Sequence, residues 1–338
     1  MASETAAQTA MTATAAGDGV EGVDGVDGAG GAGAAVTLPA AEVASAAAAF
    51  EAINRTAGSS TMSHTPTPLE RIVARKRLEV EAARARVPES ELRERIAELG
   101  RPRNFFRAVV DAPPQDRSRI IAEIKRRSPS AGEIRADFDP VGIARQYHQA
   151  GAAAISCLTD EVDFGGRLEF IHQIRDAVPV PVLRKDFIVD PYQVLEARAW
   201  GADAILLIAE CLTEADIVDC QILATELAMT TLLEVHDVEN LYRVINYVGF
   251  PHAGYSLLGI NNRNLRTMTT DILHTIRLAG LLEEQGVIER GVVVSESGIS
   301  TPEDLARLRR CGIKVALVGE HLLRQPDPGA ALKALLAA

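Results

Sequence analysis

Lysine is scarce in this chain: only Lys76, Lys125, Lys185, Lys314 and Lys333 occur, and the rest of its 35 basic residues are arginine. Cysteine is scarce as well. Cys157, Cys211, Cys220 and Cys311 make no CxxC pair, and the seven histidines make no HExxH, which argues against a zinc site and a disulfide framework and fits a reducing compartment. No run of about 18 apolar residues is present to span a bilayer. The N-terminus lacks the basic and strongly apolar regions of a secretory signal, so a cytoplasmic location is expected. A formal charge of −11 argues against nucleic acid or an anionic membrane surface as partner. Most of that acidity sits in residues 1–65, which hold seven acids and one arginine, so it says little about any site.

Two of the five lysines end apolar, strand-like runs: Ile-Ile-Ala-Glu-Ile-Lys (Ile120–Lys125) and Val-Pro-Val-Leu-Arg-Lys-Asp (Val180–Asp186). Arginine keeps its proton near neutral pH, whereas a partly buried lysine can have its pKa lowered into the working range. Lysine retained at these two strand ends, each beside a carboxylate (Glu123, Asp186), points to proton chemistry. Simple solvation at a strand end is the alternative for either one alone.

Residues 1–64 are Ala, Gly, Thr and Ser with scattered acids, and cannot bury enough side chain to offset backbone entropy; a disordered tail is expected there. From Pro68 the pattern changes. Leu69, Ile72, Val73, Lys76, Val80 and Ala83 recur at helical spacing, and Glu89–Leu99 is a second helix candidate. Eight apolar runs then alternate with amphipathic stretches: Ile120–Ile124, Ala153–Cys157, Val180–Leu183, Ala204–Leu207, Thr231–Glu234, Ser256–Ile260, Val292–Ser295 and Val315–Val318. Eight strands alternating with helices predict an α/β fold of the (β/α)8 TIM-barrel type over residues 65–338, with extra N-terminal helices covering one end. A doubly wound open sheet is the competitor, but no GxGxxG follows Ile124.

In such a barrel the chemistry lies at the C-terminal strand ends. That rule selects Lys125 and Lys185 and passes over Lys314, at a strand start, and Lys76 and Lys333, on helices. Period-two alternation puts Glu123 and Lys125 on one side. The fifth strand ends at Glu234, the sixth presents Asn261 and Arg263, and the seventh presents Glu296, Ser297 and Gly298. Singly, Glu234 reads as a surface acid, Asn261 as a turn residue and Glu296 as a lysine partner; their joint placement on one face is harder to explain structurally. A phosphate site is also readable in Ser297-Gly298-Ile299 and Val318-Gly319-Glu320, after strands seven and eight, with a short helix at Glu320–Arg324. The loop Arg126-Arg127-Ser128-Pro129-Ser130 adds hydroxyl and cationic donors.

The strings Ile-Ala-Glu-Ile-Lys-Arg-Arg-Ser-Pro-Ser, Leu-Arg-Lys-Asp-Phe-Ile-Val-Asp, Leu-Leu-Glu-Val-His, Gly-Ile-Asn-Asn-Arg-Asn-Leu and Ser-Glu-Ser-Gly-Ile, with Leu-Thr-Asp…Phe-Gly-Gly at Leu158–Gly166, resemble indole-3-glycerol phosphate synthase, in order and at barrel spacing. The resemblance covers about Pro66–Ala338. It implies ring closure of 1-(2-carboxyphenylamino)-1-deoxyribulose 5-phosphate with loss of carbon dioxide and water, no metal and no organic cofactor. It further implies Lys185 as general acid, Glu234 as base, Lys125 as substrate contact sharing acid duty, Glu123 orienting Lys125, Asn261 as a polar contact and Glu296 holding a lysine. Arg263 is expected at the anthranilate carboxylate, Phe164 and Phe187 beside the substrate ring, Glu296 and Ser297 among the substrate contacts, and Ser128, Gly298, Gly319 and the backbone of Glu320 around phosphate. Some members carry serine where Glu320 stands, so its side chain is expected to turn away. The expected partner is a small phosphorylated molecule, bound by a monomer or weak homo-oligomer. Two rivals remain: a phosphoribosylanthranilate isomerase, which would use cysteine and aspartate where strand one presents Glu123 and Lys125, and a catalytically silent phosphate-binding barrel, which need not keep lysine twice.

Overall fold

Eight parallel strands close into a barrel in the computed structural model, which describes residues 66–111, 117–248, 254–264, 269–284, 286–287 and 292–337. The acidic tail and most of the segment before the sixth strand lie outside those residues. The strands are β1 (Arg119–Ile124), β2 (Ala154–Leu158), β3 (Val182–Lys185), β4 (Ala204–Ile208), β5 (Thr230–Val235), β6 (Ser256–Asn261), β7 (Val293–Glu296) and β8 (Val315–Val318). Each pairs in parallel with its sequence neighbours, and β1 closes the ring on β8 in the register Arg119↔Val315. All eight expected strands are present, shifted by at most two residues at an end. Because both faces are covered, by helices outside and by packed side chains inside, the strands read as near-continuous Val, Ile, Leu and Ala runs.

Five helices start where the sequence offers an acceptor followed by proline. Thr67-Pro68, Asp139-Pro140, Asp190-Pro191, Thr301-Pro302 and Asp327-Pro328 each place a capping side chain on a backbone N–H of the first turn. Proline at the first helical position gives up a donor that would have no partner there.

The leading helices divide the work differently from the sequence expectation. Helix α1 (Pro68–Arg86) crosses the C-terminal mouth, where Pro68, Leu69 and Ile72 line the central cavity. Helix α2 (Glu89–Glu98) packs on the flank instead, with Leu92 joining Val80, Tyr192 and Leu195 in a small separate core. The opposite end is closed by a helix not anticipated, α3 (Phe105–Val110), whose Phe105 is fully buried and whose Phe106 N–H donates to Thr230 Oγ1 at the start of β5. Just before it, the Arg103 guanidinium donates to the carbonyls of Val178, Val180 and Arg175.

Lys76, read from the sequence only as a helix position, has a structural role. It is buried and ion-paired with Asp160 (2.9 Å) and Asp186 (3.0 Å), in the loops after β2 and β3, and with Glu79 (2.8 Å). Burial works against its charge, but Asp186 and Asp160 outweigh it and raise its pKa above the ordinary lysine value. Removing one partner from such a cluster leaves buried carboxylates short of charge. Lys76→Met is therefore expected to destabilise the barrel by about 3 kcal/mol, moderated by Arg75 on Asp160 and Arg184 on Asp186. A urea titration checks this through its midpoint.

Candidate active site

The strand ends converge on a cavity of about 480 Å³ lined by Glu123, Lys125, Lys185, Glu234 and Asn261, with Leu206, Ile208 and Leu317 below. Lys185 Nζ sits 2.6 Å from Glu296 Oε2, 3.2 Å from Glu234 Oε2 and 4.0 Å from Glu123 Oε2. Lys125 Nζ lies 2.5 Å from Glu123 Oε1, so Glu123 stands between the two lysines. The Asn261 amide donates to Glu234 Oε1 (3.2 Å). Parallel register sets Asn261 level with Glu296 and Glu234 level with Gly259, whose lack of a side chain leaves room for the Glu296 carboxylate to reach Lys185.

Two expectations about charge are corrected here. Burial was expected to lower the lysine pKa; in Lys185 burial does act that way, but Glu234, Glu296 and Glu123 outweigh it and raise the value. The residue is held protonated. Asp186, next to Lys185 in sequence, is not its partner. It receives Thr159 Oγ1 (2.7 Å) and pairs with Arg184 (3.0 Å) and Lys76, and although burial opposes ionisation these cations hold its pKa well below the usual carboxylate range.

The carboxylates around Lys185 differ. Burial favours the neutral form of both, yet Lys185 and His236 draw the Glu234 pKa well down, while burial and the charge of Glu234 push Glu296 up. Glu123 is drawn below the ordinary value against burial by Lys125 and Lys185.

The aromatic pair and the anion-ready loops lie on the same chamber wall. Phe164 and Phe187 both line it, with ring centroids 6.1 Å apart at 43°. Ser128, Ser130, Ser297, Gly298, Gly319, Glu320, His321 and Arg324 line it as well. Ser297 (φ 68°) and Gly298 (φ 81°) both take the left-handed conformation, which turns this loop sharply inward. The cationic donors expected from the β1 loop turn away. Arg126 pairs with Glu133 and Arg127 donates to the carbonyls of Glu161 and Val162, so the nearby guanidiniums are those of Arg263 and Arg324. Arg263, expected at the anthranilate carboxylate, hydrogen-bonds Ser130 Oγ and lies 3.4 Å from Glu320 Oε2, beside the loops read from the sequence as a phosphate site. The Glu320 carboxylate pairs with Arg324 (2.9 Å) as well as Arg263, on a residue that lines the chamber.

Gly319 has a specific reason to be glycine. A Cβ there would lie 2.4 Å from Glu123 Oε1 and 2.9 Å from Glu123 Cβ. Gly319→Ala is expected to displace Glu123, and Lys125 with it, lowering kcat about tenfold or more with the circular dichroism spectrum kept. Steady-state kinetics beside a melting curve checks it.

With this geometry in place, the comparison with known proteins decides the family. The family model for indole-3-glycerol phosphate synthase matches residues 69–335. The chain belongs to the indole-3-glycerol phosphate synthase family. It is 47% identical over 271 residues to the indole-3-glycerol phosphate synthase of Rhodopirellula baltica, covering 80% of this chain and 99% of that one. It is 43% identical over 268 residues to that of Rhodospirillum rubrum, covering 79% and 98%. A solved structure of KGPDC from Streptococcus mutans shares the fold alone, with a TM-score of 0.50 at 13% identity over 65% of this chain and 96% of that one. As an indole-3-glycerol phosphate synthase family member the protein is a carboxy-lyase of tryptophan biosynthesis. The isomerase and silent-barrel rivals fall with that assignment. Among the described residues no helix is long and apolar enough to cross a membrane.

Sequence reasoning missed His236, Glu210 and Lys76. Lys76 carried a usable signal, since it is one of only five lysines; His236 is two residues beyond Glu234, at the end of the same strand.

Proposed function

We propose that Lys185 and Glu234 divide the proton transfers of indole-3-glycerol phosphate synthesis, and that the charge-paired cluster at the floor of the chamber does the chemistry. The observation that carries this is the Lys185 ammonium, held among three carboxylates at the floor of the cavity. In ring closure the arene carbon bearing the carboxylate attacks the ribulose carbonyl, and Lys185 gives its proton to the developing alkoxide. Loss of carbon dioxide returns the electron pair to the ring. The hydroxyl then leaves as water, with Glu234 taking a proton from the substrate and Lys125, oriented by Glu123, delivering one to the departing oxygen. Asn261 fixes the Glu234 carboxylate from its other oxygen.

The substrate's aromatic ring fits beside Phe164 and Phe187, and its phosphate fits the wall of Ser128, Ser297, Gly298 and Gly319, with the Glu320 backbone N–H. Arg263 is an anion ligand in this reading, and its contacts with Ser130 and Glu320 favour the phosphate end over the carboxylate. Residues 65–338 form the catalytic unit, acting in the cytoplasm as a monomer or weak homo-oligomer; four free cysteines, three of them buried, suit a reducing compartment.

Mixing the full chain with the carboxyphenylamino-deoxyribulose phosphate tests the reading. Indole fluorescence should grow with one carbon dioxide released per product. A folded protein that yields neither would sink the assignment.

A further inference from the structure

Glu234 and Glu296 share one lysine, 3.2 and 2.6 Å from its Nζ, yet only one of them can serve as the base. Their surroundings are unequal. Glu296 Oε1 has no hydrogen-bond partner among the described residues and lies against Gly259, where an added Cβ would be 2.2 Å away. Glu234 Oε1 instead meets the Asn261 amide at 3.2 Å and, at the same distance, Nε2 of His236, placed for charge attraction rather than along a hydrogen-bond line. His236 is clamped from behind by Glu210: its backbone N–H donates to Glu210 Oε1 (3.0 Å) and its ring Nδ1 stands 3.1 Å from Glu210 Oε2. Neither His236 nor Glu210 lines the substrate cavity, whereas Glu234 does.

We propose that His236, held by Glu210, makes Glu234 rather than Glu296 the base, acting as a positioning residue whose positive charge selects the carboxylate that stays ionised. The proposal rests on the reading of Glu234 as base. The charged and titratable groups around the pair are Lys185 from β3, Glu123 with Lys125 from β1, Glu296 from β7, Glu210 and the Cys211 thiol after β4, and His274 from the helix following β6. Lys185 serves both carboxylates and lies nearer Glu296, so its charge does not by itself select Glu234. His236 contacts only Glu234 of the two and can select it. Burial works against its charge, but Glu210 and Glu234 outweigh that and raise its pKa to about 10, so the charge is present throughout the working range.

His236→Gln keeps a polar side chain of similar reach and removes the charge. Without that charge the ionised form of Glu234 is less favoured, its pKa rises, and activity is lost at a higher pH on acidification. The acid limb of kcat is expected to move up by about one pH unit, a loss of up to about tenfold at acidic pH values on that limb, while kcat near pH 9 stays within about threefold. KM should change little, since His236 does not touch the chamber. A limb that does not move, or a loss equal at every pH, overturns the proposal. If the variant does not fold, the wild-type protein decides: the His236 ring, followed by NMR, should remain protonated well past neutrality, and titration near the ordinary value of about 6.5 overturns the proposal. Glu234→Gln separates the two readings. An active Glu234→Gln sinks the base assignment itself, whereas an inactive one beside an unmoved His236→Gln limb sinks only the role given to His236.

Discussion

Lys185→Ala is expected to lower kcat by about 10²–10⁴-fold, the usual worth of a positioned general acid. The loss has two sources. The proton donor for ring closure is gone, and Glu234, Glu296 and Glu123 are left facing one another without the ammonium that separates them. Like charges at such distances take up a proton, so Glu234 also loses part of its capacity as a base. Lys185→Arg tells these apart. It restores the positive charge but cannot give up a proton near neutral pH, so it should stay within about tenfold of the alanine variant. Recovery of most of the wild-type rate by arginine would mean that Lys185 supplies charge only. Steady-state indole fluorescence on the three proteins, beside matched melting curves, gives the comparison.

Glu234→Gln should cost a similar factor, about 10²–10⁴-fold in kcat, with a different signature. Glutamine keeps the shape of the side chain, and Lys185 keeps Glu296 at 2.6 Å and Glu123 at 4.0 Å, so the acid remains paired and protonated. Ring closure and decarboxylation should therefore still proceed, and the reaction should stall before water is lost. An intermediate without the indole chromophore is expected to accumulate, and rapid quenching followed by mass spectrometry should detect it at 18 mass units, one water, above the product. Loss of carbon dioxide release in step with indole formation would place Glu234 in the earlier step instead.

The strands were legible because burial on both faces leaves a mark in each run, and the strand-end rule then sorts the polar residues. Glu123, Lys125, Lys185, Glu234 and Asn261 all reach one chamber as that rule requires. What the sequence hid depends on partners far along the chain. Lys76 reads only as one position of an amphipathic helix, and the meeting of α1 with Asp160 and Asp186 is what gives it partners. The six residues of α3 are too few to show a period, so the plug under the barrel gave no local signal. The sign of the Lys185 pKa shift could not be read either: burial and carboxylate neighbours oppose each other, and which prevails depends on how many carboxylates the other strands bring. Glu320 shows the same limit, since Arg324 is visible four residues on but Arg263 is not.

The division of labour between Lys185 and Glu234 is tested most directly by following carbon dioxide and indole together in rapid-mixing experiments on the wild type, Lys185→Ala and Glu234→Gln. The account predicts both products in step for the wild type, neither for Lys185→Ala, and carbon dioxide without indole for Glu234→Gln. Carbon dioxide and indole lost together in Glu234→Gln, or formed at the wild-type rate in Lys185→Ala, would contradict it.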